Sequence, residues 1–471
     1  MAKPAAKKPA AKKPTAKKAS TGEPATSAAA AAATELPSIL VVDIAGANFL
    51  PGIEQGLAPY LGEEAGHAFS QIGARSYALS RAVYRRLRAA KGTPSALSHV
   101  ANLPGVARAY LEEADAVVDA MQAKLHEVQP AAAPDNLKTG WNLARVNAAA
   151  AWDMFKGGLA AAPWSHMRIA QLDTGYTPHA CFGFDKNGEP TPATWMRADL
   201  GLNLFDGAGR PLDPLPKSGT PGHGTRIGSV ICGIDGKRIT GVAPRVTVVP
   251  YRITDFVVIG TGSTPNLVAP ALRHAVRHAA CDVVNISLGD PCLPGREMGR
   301  AIDEAYLEGI LVCCAAGNIT SEVTYPGRYR RTLTAGGLAK PGKKPWAGSS
   351  RGQRVDLVAP ADEIFRAQAP AGYGDEDADG TSYATAHLSG AAALWLAYHG
   401  KAIEQRYGRT WRRVEAFRQV VRASAHRPAD WARYEKDFGA GILDVAALLK
   451  AKLPNPDDLR MIETPAEGEV V

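Results

Sequence analysis

Five short apolar runs punctuate the chain: MRIAQLD (167–173), VTVVPYRI (246–253), DVVNISLG (282–289), ILVCCAAGN (310–318) and VDLVAPA (355–361). Each is apolar at successive positions rather than at alternate ones. A strand with that pattern is covered on both faces, as in a parallel sheet. Segments with helical spacing stand between them. NLVAPALRHAVRHAA (266–280) places Leu267, Ala271, Leu272, Ala275 and Val276 on one face, and REMGRAIDEAYLEG (296–309) reads similarly. This alternation predicts an α/β domain over residues 137–450, with a doubly wound, mostly parallel sheet whose ligands lie beyond the carboxyl ends of its strands.

The flanking segments have other characters. Residues 1–37 are mostly Ala, Lys and Pro, a composition that cannot bury enough apolar surface to offset chain entropy, and they are expected to be disordered. Residues 38–128 predict a small α+β domain. SILVVDIA (38–45) is its first strand. YALSRAVYRRLRAA (77–90) is a helix with Ala78, Ala82, Val83 and Leu87 inward and Arg81, Arg85 and Arg86 toward water. LSHVANLPG (97–105) is a short helix ended by Pro-Gly, and VARAYLEEADAVV (106–118) is a closing strand. QPAAAPDN (129–136) has the composition of a linker, and 451–471 that of a polar C-terminal tail.

Composition narrows the function. The chain has 471 residues, 46% hydrophobic and 21% charged, which excludes a wholly disordered protein. Seven Lys against two Glu in residues 1–36 account for +5 of the formal charge of +8, so the basic character belongs to the tail more than to the body. The tail is either a solvated spacer or a loose contact for an acidic polymer such as nucleic acid. No stretch of about 18 strongly apolar residues predicts a transmembrane helix, and no secretory signal stretch is legible, which favours a cytoplasmic location.

Cys181, Cys232, Cys281, Cys292, Cys313 and Cys314 form no CxxC pair, so buried reduced thiols are expected rather than a zinc cage. His274 and His278 have i, i+4 spacing but no third ligand is signalled, and His387 is expected to be a packing residue. Asp375, Glu376, Asp377 and Asp379 begin like a calcium loop. The twelfth position would be Ala386, so they are expected to form a solvated acidic lip, or a rim favouring basic substrate residues.

Three segments carry chemistry. QLDTGY sets Asp173 at a strand's carboxyl end, PGHGTRIGSVICG sets His223 between glycines as a helix begins, and GTSYATAHLSGAAALWLAYH sets Ser382 just before a long Ala-rich helix. A serine hydroxyl needs a base to take its proton, and an imidazole serves. The imidazole needs a carboxylate to fix its tautomer. Asn318, ending ILVCCAAGN, and the backbone N–H of Ser382 can donate to a developing oxyanion.

In order along the chain, DTG around Asp173, GHGT around His223, AAGN around Asn318 and GTS around Ser382 resemble the four signature blocks of the subtilisin-like serine peptidases, the subtilases. The resemblance covers 137–450 and implies a serine endopeptidase acting through an acyl-enzyme, with Asp173, His223 and Ser382 as its triad and Asn318 as an oxyanion donor. NISLG (285–289) resembles the family's substrate-binding strand, implying that Ser287, Leu288 and Gly289 line the pocket for the side chain preceding the cleaved bond. Tyr383 and Ala386 depart from the family's usual Met and Pro after the nucleophile, and Arg226 from its usual His after His-Gly-Thr. Residues 38–128 resemble the family's inhibitory propeptide, implying an intramolecular inhibitor. The partners so implied are a protein or peptide substrate and that N-terminal domain. No cofactor is required for the chemistry; the resemblance leaves structural calcium possible, with no ligand set readable in the sequence. The alternatives are a catalytically silent subtilase fold that binds peptides or partners, and a nucleic-acid-associated protein acting through the basic tail.

Overall fold

The six parallel strands of the main sheet stand in the order β10-β9-β8-β7-β5-β6. They are β5 Arg168–Asp173, β6 Thr247–Arg252, β7 Val283–Ile286, β8 Leu311–Ala315, β9 Leu333–Leu338 and β10 Leu357–Pro360. Every neighbouring pair is parallel. All five apolar runs became strands of this sheet, with their side chains covered on both faces.

The computed structural model describes residues 39–44, 50–61, 69–71, 76–79, 81–112, 140–156 and 167–469, apart from 208, 216–218, 236–237, 259–263, 292–293, 319 and 377. The basic tail, the linker and Cys292 lie outside them. The described residues all fall within the unit 37–471.

Helices cover both faces of the sheet. Thr264–Arg277 and Arg296–Leu307 share one apolar core with Ala170, Leu172, Val284 and Val312. On the other face, His223–Cys232 and the 27-residue helix Thr381–Tyr407 enclose a second core with Ile169, Val283, Leu311 and Leu357. The alternation of successive side chains along each strand thus feeds two cores.

Strand β9 was not among the expected strands because Gly336 and Gly337 interrupt its apolar pattern. A Cβ at Gly337 would stand 3.0 Å from Ala361 Cβ and 3.1 Å from the Trp346 ring, so the glycine permits close packing.

The N-terminal region holds its own sheet, ordered β2-β3-β1-β4: β1 Ile39–Ile44, β2 Phe69–Gln71, β3 Ser76–Leu79 and β4 Val106–Glu112. Its pairings are antiparallel. Leu40, Val42, Ile53, Val83, Leu87 and Val100 form a separate core. The helix expected over 77–90 runs instead over Arg81–Lys91, because Tyr77 and Ala78 pair with both β1 and β2 and Leu79 pairs with β2. Ala78 is therefore a strand residue, opposite Val41 and Ser70. Of the closing strand, residues past Glu112 fall outside the described set, apart from which the expectation matches β4.

The polar C-terminal segment folds back on the domain. Ala466 is fully buried, its N–H donates to Asp303 at 2.7 Å, and Arg331 donates to the Ile462 carbonyl at 2.7 Å. Among the described residues no helix is long and apolar enough to cross a membrane. The five described cysteines are buried and free, and burial pushes their thiols up.

Candidate active site

Chain order in the main sheet reverses between β5 and β7: from β5 the chain passes to β6 on one side, then returns to β7 on the other. The splayed loops at such a reversal leave a crevice at the carboxyl ends of the strands. Asp173 ends β5 there, and Ser287, Leu288 and Gly289 follow the end of β7.

His223 is the first residue of its helix. Both flanking glycines are required by geometry. Gly222 has φ 70°, in the left-handed region, and a Cβ on it would meet Ala369 Cβ at 2.3 Å. A Cβ on Gly224 would stand 1.9 Å from the Gly175 carbonyl oxygen. The close turn brings His223 Nδ1 to 2.8 Å from Asp173 Oδ1. Asp173 is fully buried and His223 is 7% exposed. An ionised carboxylate only accepts, so Nδ1 carries the proton and Nε2 is left as the basic nitrogen.

Ser382 is the second residue of the long helix. Asn318 anchors that helix: its Oδ1 accepts from Thr381 N at 2.8 Å and Thr381 Oγ1 at 2.7 Å. This leaves the Asn318 Nδ2 hydrogens uncommitted among the described residues. Ser382 Oγ donates to the Ser287 carbonyl at 2.9 Å, and Ser287 Oγ donates to the Ser382 carbonyl at 3.0 Å. Ser287, Leu288, Gly289, Asn318 and Ser382 line one pocket, together with Val257, Val258, Ala315, Gly317, Thr324 and Thr381. No charged side chain is among them.

The structure therefore makes two groupings: Asp173 bonded to His223, and Ser382 with Asn318 and the Ser287–Gly289 strand. The helices that begin at His223 and Thr381 pack on each other. Among the described residues no hydrogen bond joins Ser382 to His223, because the hydroxyl is turned to Ser287 O.

The residues that depart from the family pattern form their own contacts. Tyr383 OH accepts from Arg366 Nε at 3.0 Å, and Arg226 Nη1 donates to Pro221 O at 2.6 Å. His387 is fully buried; Nδ1 donates to Tyr383 O at 2.7 Å and Nε2 accepts from Asn142 at 3.0 Å, so packing is its role. His274 and His278 stack at 5.0 Å, with His274 Nδ1 2.9 Å from Tyr251 OH. Among the described residues no group of three or more His, Cys, Asp or Glu could hold a metal ion. In the acidic segment Asp375 and Glu376 are half-buried rather than freely solvated, while Asp379 is exposed.

Three residues around His223 were not expected from the sequence. Thr174 donates its N–H to Asp173 Oδ1 at 2.7 Å, and Arg252, 1% exposed, donates to Thr174 O at 2.8 Å. Asp213 accepts from Thr174 Oγ1 at 2.6 Å and from Gly222 N at 2.9 Å. Thr174 stood within the DTG block, a usable signal. Asp213 sits in PLDPL with no motif around it.

The profile of the subtilase family matches residues 166–441. The chain is 30% identical to subtilisin Savinase of Lederbergia lenta over 257 residues, 54% of this chain and 82% of that protein. It is 30% identical to the major intracellular serine protease of Bacillus subtilis over 277 residues, 57% of this chain and 78% of the relative. Against the alkaline protease of Alkalihalobacillus alcalophilus, also 30% identical, it spans 58% of the relative's length. The crystal structure of fervidolysin from Fervidobacterium pennivorans, a keratinolytic enzyme related to subtilisin, superposes with a TM-score of 0.60 at 18% identity, over 90% of this chain and 62% of that one. With the family profile covering more than half of its residues, and a sheet that reverses at the strand carrying Asp173, the chain belongs to the subtilase family.

Proposed function

We propose that the chain is a serine endopeptidase in which Ser382 is the nucleophile, His223 the general base and Asp173 its orienting carboxylate. The observation that carries this reading is the buried Asp173–His223 bond at 2.8 Å, which fixes the tautomer that leaves Nε2 basic. In the resting chain the Ser382 hydroxyl is parked on Ser287 O. Rotation about one side-chain bond releases it, and such bonds move among three staggered wells. Ser382 Oγ then attacks the peptide carbonyl carbon while His223 Nε2 takes the hydroxyl proton. The tetrahedral oxyanion is met by Asn318 Nδ2 and the N–H of Ser382. As it collapses, the C–N bond breaks and His223 passes its proton to the departing amine. Water, deprotonated by the same nitrogen, attacks the ester carbon; the ester C–O bond then breaks, the acid product leaves, and His223 returns the proton to Ser382 Oγ.

The uncharged lining beside Ser382 supports an uncharged side chain before the cleaved bond. The N-terminal sheet, which has a core of its own, is read as an inhibitory domain on its resemblance to the family's propeptide. Hydrolysis of a peptide series by wild type and Ser382→Ala tests the proposal. The expected loss is about 10⁶-fold in kcat, a scale measured on a subtilisin itself. Retained hydrolysis in the variant overturns it.

A further inference from the structure

We infer that Asp213 is a positioning residue for His223, holding the residues on both sides of the imidazole through one carboxylate oxygen and the Thr174 hydroxyl. This rests on His223 being the general base. Asp213 Oδ2 accepts directly from Gly222 N at 2.9 Å. The same oxygen accepts from Thr174 Oγ1 at 2.6 Å, and Thr174 Oγ1 in turn accepts from Gly224 N at 3.1 Å. Thr174 also follows Asp173 in the chain and donates to its Oδ1 at 2.7 Å, the oxygen that receives His223. One buried acceptor thus sets the base and its carboxylate in register.

The chemistry requires an ionised carboxylate. A hydroxyl has a single proton, and Asp213 commits that of Thr174, which turns the oxygen's lone pairs toward Gly224 N. The other oxygen, Oδ1, accepts from Leu215 N at 2.9 Å. Asparagine offers only one acceptor oxygen. Either orientation of its amide sets an N–H against a backbone N–H, of Leu215 or of Gly222. Asp213 is 5% exposed, so water does not replace the lost bond.

The carboxylate also adds charge beside the imidazole. The ionisable groups around this network are Asp173, Asp213, Arg226 and Arg252, with Asp206 and Asp255 paired to Arg252 and with Arg366 and Tyr383 acting on Arg226. Burial pushes the Asp213 carboxyl up, opposed by its bonds from Thr174, Leu215 and Gly222 and by the Arg252 charge. Removing one anion while both arginines stay makes the imidazolium less favourable. The acid limb of kcat/KM should then move to lower pH.

The test compares wild type, Asp213→Asn, Thr174→Val and Thr174→Ser in full-length protein, with rates normalised to sites that react with a fluorophosphonate. Asp213→Asn is expected to lower kcat per site by about 10- to 100-fold with KM within about twofold, and to shift the acid limb downward. Thr174→Val should lower kcat per site in the same way while leaving the acid limb in place, since it removes no charge, and Thr174→Ser should recover most of the loss. A merely structural role would reduce the number of reactive sites and leave kcat per site and the pH profile alone, and that result overturns the inference. If Asp213→Asn does not fold, the threonine pair decides: recovery by Ser supports the relay, and a Val variant equal to wild type overturns it. A wild-type chain that fails to react with the probe refutes the endopeptidase reading instead, a distinct outcome.

Discussion

Ser382 and Ser287 are bonded to each other twice, each hydroxyl donating to the other's backbone carbonyl at 2.9 and 3.0 Å. The nucleophile candidate and the first residue past β7 are thereby held as one unit, and Asn285 Nδ2 donates to Ser287 Oγ at 2.9 Å. Ser287→Ala leaves Ser382 O and Asn285 Nδ2 each short of a partner in a buried site. The expected cost is about 1–3 kcal/mol of stability, read from the urea midpoint, with Ser382 still reactive toward a phosphonylating probe.

Asn318 has two separable duties. Its Oδ1 anchors Thr381, while its Nδ2 is uncommitted among the described residues. Asn318→Asp keeps acceptors for Thr381 and removes the donor. It should lower kcat by at least about 10²–10³-fold, the range found for the equivalent donor of a subtilisin, with little change in KM. Asn318→Ala should lose both duties, so its melting temperature should fall below that of Asn318→Asp. Equal kcat in wild type and Asn318→Asp would remove the oxyanion role.

His387 is fully buried and neutral, and burial pushes its pKa down to about 4, against the Tyr383 carbonyl bond that raises it. In the unfolded chain a histidine titrates near 6.5. Between about pH 6.5 and 4 the unfolded state therefore binds the extra proton, and stability falls as pH falls through that window. The contribution is complete above about 6.5 and stops changing below 4. His387→Gln should flatten the acid side of a urea-midpoint profile by up to about 1.4 kcal/mol per pH unit. An unchanged slope would show that His387 is not protonated on unfolding.

The N-terminal sheet encloses its own core of Leu40, Val42, Ile53, Val83, Leu87 and Val100. A fragment of residues 38–128 added to a form beginning near Asn136 should bind and inhibit peptide hydrolysis. Separated pieces that neither bind nor inhibit would leave it a fused domain without that role.

The main sheet was legible because strands covered on both faces leave unbroken apolar runs, as in Val283–Ile286 and Leu311–Ala315. Strand β9 was not, because Gly336 and Gly337 answer to neighbours distant in sequence, Val355, Ala361 and Trp346. Tyr77–Leu79 show the same limit: their helical spacing continues that of Arg81–Lys91, but two flanking strands capture them. Asp173, His223, Asn318 and Ser382 were legible through the short blocks around them. Asp213 was not, since its bonds to Thr174 and Gly222 span 39 and 9 positions of irregular chain. The double Ser382–Ser287 bond likewise depends on two segments 95 positions apart.

An activated Ser382 hydroxyl is what the whole mechanism depends on. The most direct measurement is reaction of the full chain with a fluorophosphonate probe, followed by proteolysis and mass mapping of the labelled peptide. One label per chain is expected, on Ser382, lost in Ser382→Ala and strongly slowed in His223→Ala. An unlabelled wild-type chain, or a label on another residue that persists in Ser382→Ala, would contradict it.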